Sequence, residues 1–276
     1  MARTAVSVAE RKAAGDRRGL EVKAAAHRPR GFAAGLRTRG ADGGTAIIAE
    51  LKKASPSKGV LREDYRPVQF GRAYEAAGAA AISVLTDGPF FQGSLEDLEA
   101  VSGAVAIPVL RKDFTLDEYQ ILEARAAGAD AVLLIVAAHT DARLRELGDA
   151  VAEMGLDVLC EVHDRPELDR AVGLGFEVIG VNCRNLKTLE VHPEAHVELA
   201  QWMPKGVVRV AESGIGSRGD IERLLAAGYG AFLVGETLMR TGDPGAGVTE
   251  LLGLQGRGRR EEGREGGVLA GRSDLI

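Results

Sequence analysis

Short runs of β-branched and other apolar residues alternate along the chain with Ala/Glu/Arg/Leu-rich segments whose apolar positions recur at helical spacing. Eight strand-like runs begin near Ala46, Ala81, Ile107, Ala131, Leu156, Val178, Val207 and Ala231. The seven intervals between residues 46 and 231 average about 26 residues, room for one strand, one helix and two short loops. Punctuation follows the same period. Ala77-Gly78, Ala127-Gly128, Met154-Gly155, Leu174-Gly175 and Ala227-Gly228 each close a helical stretch just before a strand, where glycine supplies the left-handed residue that stops a helix. Several strands, such as AVLLIV and FLVG, are apolar on both faces, as parallel strands are when helices cover them outside and side chains pack inside. Eight such units predict an α/β fold, a single (β/α)8 TIM barrel, with a doubly wound open sheet as the alternative.

Outside the repeats the texture changes. Residues 1–44 are rich in Ala, Arg, Lys and Gly, with a loosely amphipathic stretch from Ser7 to Ala26, so a partly helical N-terminal extension is expected before a barrel spanning 45–252. Residues 253–276 are Gly/Arg/Glu-rich with almost nothing to bury, and a mobile tail is expected there. A length of 276 residues suits one such barrel, which alone takes ~250. Lys plus Arg at 35 against Asp plus Glu at 40 leaves a formal charge of −5, so no global field draws nucleic acid or an anionic membrane. Any anionic ligand must be held locally. The longest apolar stretches, such as Ala131 to Ala138, fall far short of the ~20 residues that cross a bilayer, and no hydrophobic leader opens the chain. Cys160 and Cys183 lie in apolar runs where reduced thiols behave as small hydrophobes, which suits a cytoplasmic location.

In such a barrel function collects at the C-terminal ends of the strands. The first strand offers Glu50 and Lys52, whose i, i+2 spacing puts them on one face; the third ends in Lys112 and Asp113 and the fifth in Glu161. The sixth adds Asn182 and Arg184, the seventh Glu212 and Ser213, the eighth Gly235 and Glu236. Any one of these alone is as readily a solvated rim charge. Together they make a charged pocket in which neighbours shift one another's pKa values, and acid/base chemistry is the natural reading. Ser213-Gly214-Ile215-Gly216 and Val234-Gly235-Glu236 each turn toward a helix start, and glycine amides there, on the last two units, are how barrels hold phosphate. The loop Ser55-Pro56-Ser57-Lys58-Gly59 fits a mobile flap as well as a passive linker. Phe90 and Phe91 either cover an aromatic ligand or plug the barrel top. His139, His163 and His192 lack metal-ligand spacing, and no glycine-rich nucleotide signature is present, so neither a metal site nor a dinucleotide or nucleoside triphosphate is expected.

The strings IIAELKKASPSKG, SVLTDGPFFQGSLEDL, PVLRKDF, LLIVA, CEVHD, GVNCRNLKTLEV, VAESGI and FLVGETLMR, in this order, resemble the indole-3-glycerol-phosphate synthase family over roughly residues 28–252. The resemblance implies a (β/α)8 barrel with an N-terminal segment over its mouth. It also implies a cofactor-free lyase that closes the ring of 1-(2-carboxyphenylamino)-1-deoxyribulose 5-phosphate to indole-3-glycerol phosphate, losing carbon dioxide and water, in tryptophan biosynthesis. Carried over position by position, it puts catalytic roles on Glu50, Lys52, Lys112, Glu161, Asn182 and Ser213, with Lys112 as the acid of strand three and Glu161 as the base of strand five. Substrate binding falls to Ser55, Phe91, Arg184, Gly214, Gly235 and Glu236. Cys183, His192 and Glu236 are mild departures; a carboxylate beside a phosphate would repel it, so Glu236 is expected to offer its backbone amide and point away. The expected partner is a small phosphorylated molecule, with no nucleic acid and no membrane, and the chain is expected to be a monomer or weak homodimer. Two other readings stay open: a Schiff-base aldolase with Lys112 as nucleophile, and a non-catalytic phosphate-binding barrel.

Overall fold

A computed structural model describes residues 2–185 and 188–254 of the chain. Eight parallel strands close on themselves: β1 (Ala46–Leu51), β2 (Ala81–Leu85), β3 (Val109–Lys112), β4 (Ala131–Ile135), β5 (Asp157–Val162), β6 (Val178–Asn182), β7 (Val208–Glu212) and β8 (Ala231–Val234). The ring is sealed by β1 against β8, with Ala46 opposite Ala231 and Ala49 opposite Val234, so the open sheet is excluded. Five strands begin where the apolar runs do; β3, β5 and β7 begin one or two residues later. For β3 the cause is Pro108, which has no N–H to give to a ladder.

The helices are α1 (Ala2–Ala14), α2 (Arg17–Ala26), α3 (Phe32–Gly40), α4 (Pro67–Ala76), α5 (Gly88–Phe91), α6 (Leu95–Ser102), α7 (Glu118–Ala126), α8 (Asp141–Glu153), α9 (Arg165–Gly173), α10 (Glu194–Ala200), α11 (Arg218–Ala226), α12 (Glu236–Arg240) and α13 (Pro244–Leu252). Polar caps start many of them: Asp117 and Gln120 form a capping box on α7, as Ser217 and Asp220 do on α11. All five helix-closing glycines expected from the sequence have left-handed φ values, from +65° at Gly155 to +97° at Gly78. Among the described residues no helix is long and apolar enough to cross a membrane. Residues 255–276, most of the expected tail, lie outside the described residues.

Side chains alternate along each strand. Outward residues such as Ile47, Ile82, Val132 and Ile179 are buried beneath the helices, and inward residues such as Ile48, Leu110, Leu159 and Val210 fill the barrel. Two residues further along, the same inward rows become Glu50, Lys112, Glu161 and Glu212. The polar mouth is thus a continuation of the apolar core.

The N-terminal extension is divided between the two ends of the barrel. Its first helix, α1, reaches the mouth side: Lys12 pairs with Asp117 at 2.9 Å, at the start of α7, and Arg11 pairs with Glu123 at 2.8 Å. From there α2 runs along α7, where Arg125 donates to the carbonyls of Ala24 and His27 at 3.0 and 2.8 Å. The third helix corrects the expectation of a segment lying over the mouth. Phe32, Ala33 and Leu36 of α3 are buried with Ala46, Ala81, Ala131 and Ala231, at the starts of the strands, so α3 closes the opposite end. Those alanines leave a hollow that Phe32 and Leu36 fill, each burial stabilising the fold by ~1.5–3 kcal/mol. A charged mouth offers an apolar helix no such gain.

Candidate active site

Strands β1, β3, β5 and β7 bring four ionisable side chains to one point. The ammonium of Lys112 pairs with Glu212 and lies 3.5 Å from Glu161 Oε2. Beside them Lys52 Nζ is 2.7 Å from Glu50 Oε1. Glu50, Glu161 and Glu212 are at most 4% exposed, so each charge depends on its partners rather than on water. Asn182 Oδ1 accepts the Ser213 hydroxyl at 2.9 Å and the Arg184 N–H at 3.0 Å, fixing the amide beside Glu161.

Burial opposes the charge of Lys112, but the carboxylates of Glu212, Glu161 and Glu50 outweigh it and hold the pKa above the ordinary lysine value. Burial also works against ionised Glu161, and there Lys112, His163 and Asn182 win, bringing it to about 2. Glu212 goes the other way. Burial, with the nearby Glu161 and Glu50 carboxylates, overcomes Lys112 and pushes it up to about 7. Glu50 is held below its ordinary value because Lys52 and Lys112 together exceed the burial penalty. One buried cluster therefore holds a firmly charged ammonium, a firmly charged carboxylate and a carboxyl poised to exchange a proton near neutrality.

Two glycines make room for this cluster. A Cβ on Gly180 would overlap Glu212 Oε1, and one on Gly235 would overlap Glu50 Oε1. Gly235 has φ −122°, which any residue adopts, so space and not backbone freedom demands glycine there. This modifies the expectation that Gly235 serves phosphate alone. In the variant Gly235→Ala, kcat should fall about 10²-fold, the scale of an ångström-size displacement of a reacting group, whatever happens to KM. Steady-state kinetics checks this, and a rise in KM with unchanged kcat would contradict it. Gly214 is different: its φ is +68°, as is that of Ser213, so two successive left-handed residues turn the chain after β7.

Four other residues singled out in the sequence sit at the rim. The loop after β1 is a small hairpin in which Ala54–Ser55 pairs with Gly59–Val60, and Ser55 is half-buried with its hydroxyl 3.5 Å from that of Ser57. Helix α5, ending in half-buried Phe91, packs on this hairpin. Arg184 donates to the Leu189 carbonyl at 3.0 Å. Glu236 does not simply point away; its carboxylate is 3.2 Å from Arg240 Nε and 3.9 Å from Arg184 Nη2, which offsets its charge.

Three residues read differently in the structure. Asp113 faces outward, where it accepts from Arg111 at 2.9 Å and Thr86 at 2.8 Å, because neighbours on a strand point to opposite sides. Glu212, which the resemblance leaves without a role, joins the cluster, and the inward row Val208, Val210, Glu212 marks it in the sequence. His163, weighed in the sequence only as a metal ligand, lies 3.3 Å from Glu161 Oε1.

The family model described as indole-3-glycerol phosphate synthase matches residues 1–251. The chain is 58% identical over 246 residues to the indole-3-glycerol phosphate synthase of Koribacter versatilis, covering 89% of this chain and 94% of that one. The chain belongs to the indole-3-glycerol phosphate synthase family. The synthase of Rhizorhabdus wittichii, another member, is 49% identical over 246 residues, covering 89% and 93% of the two chains. Beyond the family, the structure is similar to 3-hexulose-6-phosphate synthase from Salmonella typhimurium, with a TM-score of 0.61, 13% identity and coverage of 76% of this chain and 98% of that one. That likeness is one of fold alone.

Proposed function

We propose that this chain closes the ring of 1-(2-carboxyphenylamino)-1-deoxyribulose 5-phosphate to give indole-3-glycerol phosphate, carbon dioxide and water. The observation that carries the reading is the Lys112 ammonium, held at the centre of the mouth between Glu161 and Glu212 with the Glu50–Lys52 pair beside it. The ring carbon that bears the carboxylate bonds to the ketone carbon, and the ketone oxygen becomes an alkoxide. Lys112 stabilises that alkoxide by its charge. It then supplies the proton, since an alkoxide is far more basic than any lysine. Loss of carbon dioxide returns its bonding electrons to the ring. The new hydroxyl leaves as water with a proton from the Glu50–Lys52 side, and Glu161 accepts the proton released by the carbon next to nitrogen. Ser213 and Asn182 hold Glu161 in place. Phosphate binds to the backbone amides after β7 and β8, with Lys52 and Arg184 adding charge and Phe91 and Ser55 lying over the aromatic end.

The substitution Glu161→Gln tests the assignment of the base. It is close to isosteric and removes the proton acceptor, so kcat should fall by ~10²–10⁴-fold while KM stays within a few-fold. Retention of normal kcat would move the base elsewhere, to Glu50 or Glu212. The aldolase reading needs an unpaired lysine nucleophile; Lys112, held between two carboxylates and kept charged, favours the acid instead.

A further inference from the structure

His163 lies two residues beyond Glu161, on the same side of the chain as it leaves β5 for α9. Its ring stands between two carboxylates: Nε2 is 3.3 Å from Glu161 Oε1, and Nδ1 is 3.1 Å from Glu167 Oε2. Glu167 is itself pinned. Its Oε2 also accepts the His163 backbone N–H at 2.8 Å, and its own N–H donates to the capping Asp164 at 2.9 Å. A neutral imidazole carries one N–H and would turn a lone pair toward one of these two anionic oxygens. Only the imidazolium turns positive charge to both, through a hydrogen bond to Glu167 and an ion pair with Glu161, toward which Nε2 makes no aligned hydrogen bond.

We propose that His163, held as an imidazolium by Glu167, is a positioning residue that keeps Glu161 ionised and aimed as the base of the reaction. This rests on the reading of Glu161 given above. The carboxylate of Glu161 has a cation on each oxygen, His163 on Oε1 and Lys112 on Oε2. Lys112 is shared with Glu212, so it alone cannot offset the burial of two carboxylates. The other groups acting on the pair are few. Asn182 on β6 holds Glu161, Glu50 on β1 and Glu212 on β7 oppose its charge, and Arg170 on α9 adds positive charge near Glu167. The turn Val136–Ala138 packed against β5 brings no titratable side chain. Consistent with this arrangement, the two carboxylates overcome the burial of the ring and lift the His163 pKa to about 10.

Two measurements on the full chain test this. In 15N-histidine-labelled protein at pH 8, with His163→Gln identifying the signal, both ring nitrogens of His163 should show imidazolium shifts, and Glu167→Gln should lower the midpoint of their titration. A His163 that is neutral at pH 8 would overturn the proposal. Next, kcat is compared between His163→Gln and the unsubstituted protein from pH 9 down to the lowest pH at which both stay folded. The variant's acid limb should lie roughly one to two pH units higher, the scale on which a close opposite charge lowers a carboxyl, with KM within about two-fold. The ratio of the two kcat values should therefore be level at alkaline pH and fall toward acid, and the Glu161 carboxyl, followed by 13C NMR, should begin to titrate at higher pH in the variant; a Glu161 carboxyl whose titration is unmoved by the substitution would mean a purely structural role and overturn the proposal. If Glu161→Gln kept normal kcat, the base assignment would fail by itself, and the histidine spectrum would still decide whether the imidazolium pair exists.

Discussion

Lys112→Ala should lose ~10²–10⁴-fold in kcat, the contribution of a positioned acid, while the substrate still binds with a KM within a few-fold. The phosphate contacts and aromatic cover proposed for the substrate lie on other strands, which is why binding should survive. The effect should extend beyond the missing proton. Lys112 is the shared counter-charge of Glu161 and Glu212, and without it two buried carboxylates face each other with Glu50 nearby. One of them must then stay protonated to higher pH, so above neutrality, where Glu212 of the unsubstituted protein is mostly ionised, the variant's carboxyls should hold up to one more proton. Potentiometric or calorimetric proton counting checks this. Near-normal turnover in Lys112→Ala, with turnover abolished in Lys52→Ala, would reverse the two lysines' roles.

Asp130→Ala should produce the largest loss of stability. Asp130 is fully buried at the start of β4 and accepts from the Arg30 backbone N–H at 2.7 Å, from Arg30 Nε at 2.8 Å and from the Val109 N–H at 2.6 Å. Arg30 goes on to bond Ser102, Val105 and Gly128, so one carboxylate ties the N-terminal extension to β3 and to the loops beneath the barrel. Removing it leaves a largely buried guanidinium without its anion and a buried N–H without an acceptor. A loss of about 3–5 kcal/mol is expected, seen as a lower midpoint in urea unfolding. At temperatures where the variant is folded, kcat should be unchanged, because Asp130 lies at the end of the barrel away from the mouth. A loss of kcat in the folded variant would show that the two ends are coupled.

The barrel was legible because its signals are periodic: the recurrence of strand-like runs, the glycine stops and the two-faced apolar strands all follow from packing parallel strands under helices. The mouth residues were legible for a related reason, since Glu50, Lys112, Glu161 and Glu212 are where an apolar inward row turns charged. What could not be read was pairing. Nothing in the spacing says that Lys112 divides itself between Glu161 and Glu212, because those partners are brought together only by closure of the ring. Nor does the sequence show where α3 docks, because the hollow it fills is made by four alanines far apart along the chain. Gly180 and Gly235 carry no local signal for the carboxylates that lie over them, and Asp113 adjoins Lys112 in sequence while strand alternation sends it outward.

The most direct test is to mix the purified chain with 1-(2-carboxyphenylamino)-1-deoxyribulose 5-phosphate and follow indole absorbance together with released carbon dioxide. The account predicts both products in equal amounts without added cofactor or metal, at a rate that collapses in Lys112→Ala. Folded protein that yields no indole product, or yields it equally well in Lys112→Ala, would contradict it.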